Sequence, residues 1–212
     1  MTSIADLRRD YRARALSERD VHADPIAQYR QWLDEALASA VVDATAMTLA
    51  TASPDGAPSA RIVLLKDVGP AGFVFFTNFD SAKGAALAAN PRACLVSFWP
   101  DLERQVRVTG AVSRVDASVS DAYFASRPLD SQLGAWASPQ SQVIPDRATL
   151  ERRLADVAAR FGDGPVPRPE HWGGFRVAPE TIEFWQGRPN RLHDRLRYRR
   201  NARAWTIERL AP

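Results

Sequence analysis

A chain of 212 residues with 45% hydrophobic and 25% charged residues has ordinary globular composition, which excludes a disordered or fibrous protein. Its formal charge of +3 excludes a uniformly polycationic chain, although eight arginines against Asp194 and Glu208 give residues 187–209 a local charge of +6. One cysteine, Cys94, leaves no intrachain disulfide, and no run approaches the roughly 20 apolar residues of a membrane span, so a cytoplasmic protein without a membrane partner is expected.

Residues 1–23 are polar and arginine-rich and read as a loosely held N-terminal arm, leaving 24–212 as a single domain. Asp24-Pro25 reads as the N-cap and first position of a helix, with Ile26, Tyr29, Trp32, Leu33, Ala36 and Leu37 at helical spacing. The pattern then changes to short β runs at 45–52, 59–68, 72–78, 93–99 and 105–115, separated by turn signals such as Ser53-Pro54-Asp55-Gly56. Connections this tight imply antiparallel neighbours. Helical stretches are expected at 118–126, 131–136 and 147–160, then a breaker-rich loop at 161–169. Strands resume at 172–177, 181–186, 192–199 and 205–210. The expected fold class is mainly β with appended helices, an antiparallel barrel of roughly eight strands, closed or partly closed.

Of 28 basic residues only Lys66 and Lys83 are lysine, and a lysine is a compact point charge where arginine is a planar fork. Lys66 ends the strand-like run Arg61-Ile62-Val63-Leu64-Leu65-Lys66, in which strict alternation puts Arg61 and Lys66 on opposite faces. An ordinary strand with solvated charged ends reads the same way. Lys83 follows Ser81, a good N-cap, so a helix N-terminus beside a lysine offers an anion site, or simply a capped helix with a surface cation. Tyr123, Arg127 and Ser131 are spaced by fours and are all donors suited to a phosphate monoester, although Pro128 interrupts the helix and a solvated face is the plainer alternative. In the densest segment, Glu183 to Arg195, strand alternation places Arg191, His193 and Arg195 on one face, where the two guanidiniums should keep His193 neutral. The three histidines are isolated from one another and no metal site is expected; GxGxxG, Walker and GxSxG motifs are absent.

Taken together, Arg61–Lys66, Glu103-Arg104-Gln105-Val106-Arg107-Val108, Ser126-Arg127-Pro128 with Ser131-Gln132, Phe184-Trp185-Gln186-Gly187 and Arg191-Leu192-His193-Asp194-Arg195 resemble the pyridoxine/pyridoxamine 5′-phosphate oxidase family along essentially the whole chain. The resemblance implies an FMN-binding split β-barrel and a homodimer with FMN sites at the subunit interface. It implies oxidation of pyridoxine or pyridoxamine 5′-phosphate to pyridoxal 5′-phosphate, with hydride transfer from C4′ to flavin N5 and reoxidation by O2 to give H2O2. Carried over residue by residue, Arg61, Ile62, Val63, Leu64, Leu65 and Lys66 would line the FMN, with Phe76 and Thr77 beside them. Lys83 would hold the flavin phosphate, and Gln105, Gln140, Ser141, Trp185 and Arg195 would complete the cofactor site. The substrate would lie on Lys66, Tyr123, Arg127 and Ser131 by its phosphate and on Arg191, Leu192 and His193 by its ring, with Arg191 and His193 catalytic. Arg8 and Tyr11 would close over it. The chain departs from the family at Ala82, where the usual reading is Ser-Arg-Lys, and at Phe76, where tyrosine is common; Ala82 implies either weaker FMN binding carried by Lys83 and the helix amides or an arginine from elsewhere in its place. Rival readings are another split-barrel flavin reductase, a catalytically weakened flavin-binding relative, and a nucleic-acid binder using the basic C-terminal segment. The balanced overall charge and the lack of a nucleic-acid module speak against the last.

Overall fold

The computed structural model describes residues 3–4, 10–12, 14–202 and 204–212, so the expected lid residue Arg8 lies outside the described residues. Helix α1, Pro25–Leu37, starts where expected: the Asp24 carboxylate accepts from the Ile26 N–H at 3.0 Å and Pro25 fills the first turn. Its buried face carries Ile26, Tyr29, Trp32, Leu33 and Ala36. The strands follow as β1 (Ala46–Ala52), β2 (Pro58–Leu64), β3 (Asp67–Gly69), β4 (Gly72–Asn78), β5 (Arg92–Trp99), β6 (Arg104–Arg114), β7 (Trp172–Gln186), β8 (Asp194–Arg200) and β9 (Trp205–Arg209). Helix α2, Ala82–Ala89, links β4 to β5, while α3 (Ala117–Ala125), α4 (Leu129–Ala137) and α5 (Arg147–Phe161) lie between β6 and β7. Every strand pair among the described residues is antiparallel, in the order β2-β1-β5-β6-β7-β4-β3, with β8 paired to β7 and β9 to β8. Contacts between β2 and β4 curl this sheet towards closure, which is the split barrel the strand spacing implies.

Three boundaries differ from the sequence reading, each for a long-range reason. The run 59–68 splits because the Leu65 N–H bonds to the Thr45 carbonyl and the Lys66 N–H to that of Val74, so the chain changes partner strand there. Burial nonetheless alternates without a break from Arg61 to Lys66, keeping Arg61, Val63 and Leu65 opposite to Ile62, Leu64 and Lys66. The runs 172–177 and 181–186 fuse into β7 across a bulge at Thr109/Gly110 that absorbs Pro179 and Glu180. A Cβ on Gly110 would lie 1.9 Å from the Ala178 carbonyl oxygen, so this crossing admits glycine alone. The bend lets the first half of β7 pair with β4 and the second half with β8. Finally, strand 192–199 begins instead at Asp194, after a single 3-10 turn over Pro189–Arg191 with Asn190 and Arg191 at φ +57° and +61°. Strand alternation therefore does not set the direction of Arg191 and His193.

The barrel interior is filled by Met47, Leu49, Phe73, Phe75, Leu95, Val106, Ile182, Phe184 and Leu196, with Tyr29 and Trp32 of α1 plugging one end. A second cluster, Phe124, Val166 and Trp172, joins α3 and the 162–171 segment to β7. Beneath α1, the buried Arg104 donates to Glu35 Oε2 at 2.8 Å and to Gln186 Oε1 at 3.0 Å, with its guanidinium 4.3 Å from the Trp32 ring centroid. Removing one member of such a pair strands the other. Arg104→Ala is expected to lower the unfolding free energy by about 3 kcal/mol in urea titrations, the low end for buried pairs because Glu35 retains Arg14. Among the described residues, no helix is long and apolar enough to cross a membrane.

Candidate functional site

Two groups of polar side chains stand on separate parts of the sheet. The first surrounds a cavity of about 450 Å³ between β4, α3, α4 and the start of β7, lined by Leu64, Lys66, Phe76, Thr77, Tyr123, Arg127, Ser131, Gln140 and Trp172 among others. Pro128 does end α3, as its ring requires, but α4 starts at the next residue and folds back, so Tyr123, Arg127 and Ser131 converge although no single helix carries them. Arg127 Nη1 is buried and has no hydrogen-bond partner. An orphaned buried donor is costly, so an arginine held this way, in one cavity with Lys66, marks a place for an anion. Burial pushes the Arg127 guanidinium below its usual value, which an arriving negative charge would reverse.

At the edge of the same cavity Lys83 Nζ donates to Gln140 Oε1 at 2.9 Å, Thr77 Oγ1 at 3.0 Å and Ser81 Oγ at 3.2 Å. The Ser81 hydroxyl also caps α2 by accepting from the Gly84 N–H. Burial, and then the charge of Arg61, lower the Lys83 pKa from its ordinary value. Arg61 is held by Leu49 O and Thr51 Oγ1 at 3.1 and 2.9 Å. Lys83, Arg61 and the free amides of the α2 N-terminus thus make a second positive position, distinct from that of Lys66 and Arg127. Ala82 at the start of α2 is exposed and adds no donor. Ser141 is exposed at φ +72°, next to Gln140. The Phe76 ring lies against Tyr123 and Trp172, on the Arg127 side of the cavity.

The second group lies on the sheet face opposite the barrel interior. Gln105, Trp185 and Arg195 stand side by side across β6, β7 and β8. The His193 ring packs 4.7 Å from Trp185, and Tyr11 of the N-terminal segment stands edge-on to both, 5.6 and 5.7 Å away. Tyr11 fits because Gly187 has no side chain: a Cβ there would lie 2.7 Å from the tyrosine Cγ. The Arg188 N–H donates to His193 Nδ1 at 3.1 Å, which leaves the proton of the neutral ring on Nε2. His193 is indeed pushed below its usual value, by burial first and by Arg191 second. Arg195 plays no part in that shift, because its guanidinium bonds instead to Glu183 at 2.9 Å and to the Ala211 carbonyl at 2.9 Å. Arg191 and Leu192 are exposed on the 3-10 turn and the residue after it.

Within one chain the two groups lie apart: Trp172 of the first and Trp185 of the second stand at opposite ends of β7, about 40 Å along the strand at ordinary rise. The sequence reading missed Trp172, which it took for an ordinary strand start; an aromatic followed by Gly173-Gly174, where close packing is implied, was the available signal. Arg188, Arg195, Arg197, Arg199 and Arg209 each face a carboxylate of the same chain, so those charges are largely spent within the fold.

Comparison with known proteins bears on both groups. Residues 33–161 match the family model described as pyridoxamine 5′-phosphate oxidase, and residues 172–212 match the pyridoxine 5′-phosphate oxidase C-terminal dimerisation region. The chain is 62% identical to the pyridoxine/pyridoxamine 5′-phosphate oxidase of Ralstonia pickettii (strain 12J) and 59% identical to that of Thermosynechococcus vestitus, covering all of each chain. Among solved structures it resembles PhzG from Burkholderia lata 383 in complex with tetrahydrophenazine-1-carboxylic acid, with a TM-score of 0.87 at 30% identity, covering 92% of this chain and 95% of that one. An FMN binding protein from Nostoc punctiforme related to pyridoxamine 5′-phosphate oxidase shares the fold, with a TM-score of 0.69 at 20% identity over 87% of this chain and 97% of that one.

Proposed function

Since the chain belongs to the pyridoxine/pyridoxamine 5′-phosphate oxidase family, we propose that it is an FMN-dependent oxidase that converts pyridoxine or pyridoxamine 5′-phosphate to pyridoxal 5′-phosphate. The observation that carries this reading is the pair of separate positive positions, one around Lys83 and one around Lys66 and the orphaned Arg127 Nη1. A reaction between two phosphorylated molecules, cofactor and substrate, requires two such anchors, and anchoring both fixes the reacting atoms without contacting them. The Lys83 cluster has the donor set for the phosphate end of FMN: an ammonium, hydroxyls and helix amides. FMN supplies the two-electron chemistry when bound.

The protein's own contribution is placement. Lys66, Tyr123, Arg127 and Ser131 hold the substrate phosphate. His193 donates a hydrogen bond from Nε2–H to the oxygen or nitrogen on C4′ and so orients it, while the proton that this group gives up on oxidation passes to solvent; Arg191 orients the ring. Because Trp172 of the cavity and Trp185, on which His193 packs, stand at opposite ends of β7, the second group is supplied by another copy of the chain, in a homodimer whose sites lie between subunits. The match of residues 172–212 to a dimerisation region supports this assembly, as do Ile62, Leu64 and Phe98, which are 63, 43 and 52% exposed along the sheet face that carries Trp185.

The decisive experiment is spectroscopic. The purified protein reconstituted with FMN should show a yellow flavin band that bleaches on anaerobic addition of pyridoxamine 5′-phosphate and returns with air. A protein that cannot be reconstituted with FMN, or a band that the substrate leaves unchanged, refutes the reading. A second reading follows from the likeness to PhzG: oxidation of a reduced aromatic carboxylate such as its bound ligand. The orphaned guanidinium beside Lys66, Tyr123 and Ser131 favours a phosphate over a carboxylate, having more donors than a carboxylate has oxygens. Bleaching by a tetrahydrophenazine carboxylate and none by pyridoxamine 5′-phosphate would reverse that order.

A further inference from the structure

We propose that Trp172 is a positioning residue for substrate phosphate: its indole is the fixed plane that holds the Arg127 guanidinium, aimed into the cavity, before any ligand arrives. The inference rests on the reading of the cavity given above and assigns a role to a residue outside the expected set. Arg127 lies with its guanidinium carbon 4.7 Å from the Trp172 ring centroid and 5.5 Å from that of Phe124. No carboxylate pairs with it among the described residues, and its Nη1 is orphaned, so the contacts that locate it are a cation over an aromatic face and its own backbone. That backbone is fixed separately. The Gln132 side-chain amide donates to the Arg127 carbonyl at 2.8 Å, and the Arg127 N–H to the Phe124 carbonyl at 3.2 Å.

Trp172 is itself held more firmly than packing alone requires. It is 6% exposed. Its carbonyl accepts from Arg168 Nη1 at 2.6 Å, and the same arginine bonds to Asp121 of α3 at 2.6 Å. Its N–H donates to the Pro169 carbonyl at 3.0 Å. The ring runs nearly parallel to Phe76 (5.5 Å, 13°) and to Tyr123 (6.1 Å, 10°), which stack on each other (4.1 Å, 23°), while Phe124 meets it edge-on. Three near-parallel rings thus stand in one cluster on the cavity wall, with Arg127 on the indole. Both phosphate donors are referred to one rigid stack. A guanidinium is planar, delocalised and weakly hydrated, which suits it to such a surface without a carboxylate that would compete with the ligand. Pairing Arg127 with Asp or Glu would fix it equally well and would cancel its charge. Stacking fixes it and leaves its charge and Nη1 available, so less ordering remains when phosphate binds.

The test uses the FMN-loaded enzyme and two substitutions, Trp172→Met, which fills the volume without a π face, and Trp172→Phe, which retains one. Four quantities are measured: KM and kcat for pyridoxine 5′-phosphate, the inhibition constant of unphosphorylated pyridoxine, and the FMN dissociation constant by flavin fluorescence. For Trp172→Met the KM should rise roughly 10-fold, with kcat, the pyridoxine inhibition constant and FMN affinity unchanged. Trp172→Phe should recover most of that loss. Should the methionine variant fail to fold, the phenylalanine variant decides, through a weakened preference for the phosphorylated over the unphosphorylated ligand. An unchanged preference in the folded variants overturns the assignment, as does a parallel loss of both ligands and of FMN, which would mark a merely structural tryptophan. A wild-type enzyme indifferent to the phosphate would instead bring down the reading of the cavity, and this inference with it.

Discussion

Replacing Lys83 with alanine is expected to weaken FMN binding by roughly 10- to 100-fold, the loss of one strong charge-assisted contact. The ammonium sits on three oxygen acceptors at 2.9–3.2 Å, beside the capped start of α2, and Ala82 contributes no second cation there. Equilibrium titration with FMN, followed by quenching of flavin fluorescence, measures the effect without depending on turnover. The pKa direction separates a binding defect from a folding defect. Burial and the neighbouring Arg61 lower the Lys83 pKa, so its charged form is disfavoured by folding at neutral pH, and that cost is lost only as the pH rises through the folded value towards the ordinary 10.5. Lys83→Ala should therefore leave the Tm of the flavin-free protein unchanged or slightly raised while FMN affinity falls. Equal FMN affinity in variant and parent would remove Lys83 from the cofactor site. Lys66→Ala should do the opposite, sparing FMN and raising the KM for substrate, because it lines the cavity of Arg127.

His193→Ala is expected to lower turnover on pyridoxine 5′-phosphate about 10- to 100-fold, the scale of one hydrogen bond to the reacting group, with FMN affinity intact. The structure supplies a second, sharper expectation from the neighbouring cation. His193 already lies below the ordinary 6.5, held there by burial and then by Arg191, so the ring is neutral at pH 7 with its proton on Nε2. Turnover of the parent enzyme should fall on the acid side, as a second proton on Nδ1 breaks the hydrogen bond from the Arg188 N–H that orients the ring. Arg191→Ala removes a positive charge that disfavours the imidazolium, so the His193 pKa must rise and the acid limb of the rate profile must move to higher pH. Arg191→Ala should also lower turnover in its own right, through its contact with the substrate ring. Steady-state rates from pH 5 to 8 in the two variants and the parent settle both points. An acid limb that persists in His193→Ala assigns the titration to another group, and one that fails to move in Arg191→Ala separates the two residues.

Local pattern carried much of this protein. The cap Asp24-Pro25, the apolar spacing of α1, the Ser81 cap of α2 and most strand positions were legible because each depends on neighbours a few residues away. The opposite orientation of Arg61 and Lys66 was legible for the same reason, since a strand alternates its side chains whatever it pairs with. The motifs from Arg61 to Arg195 were enough to point to a family that comparison then established over the full chain. The errors fell where a distant partner overrode the local signal. A change of partner strand divided 59–68, a bulge fused the two halves of β7, and two left-handed residues turned Arg191 and His193 out of the strand expected to carry them.

By itself, then, the sequence determined the elements, the faces of the strands and the family, because periodicity and capping are written into adjacent residues by backbone sterics. The tertiary structure alone decided how the candidate site is divided. It gathered Lys66, Tyr123, Arg127 and Trp172 into one cavity, left Arg127 Nη1 without a partner, and set Trp185, with His193 packed on it, at the far end of β7 from Trp172. Those are contacts between residues tens of positions apart, and their formation depends on which surfaces the closed barrel brings together rather than on any local preference.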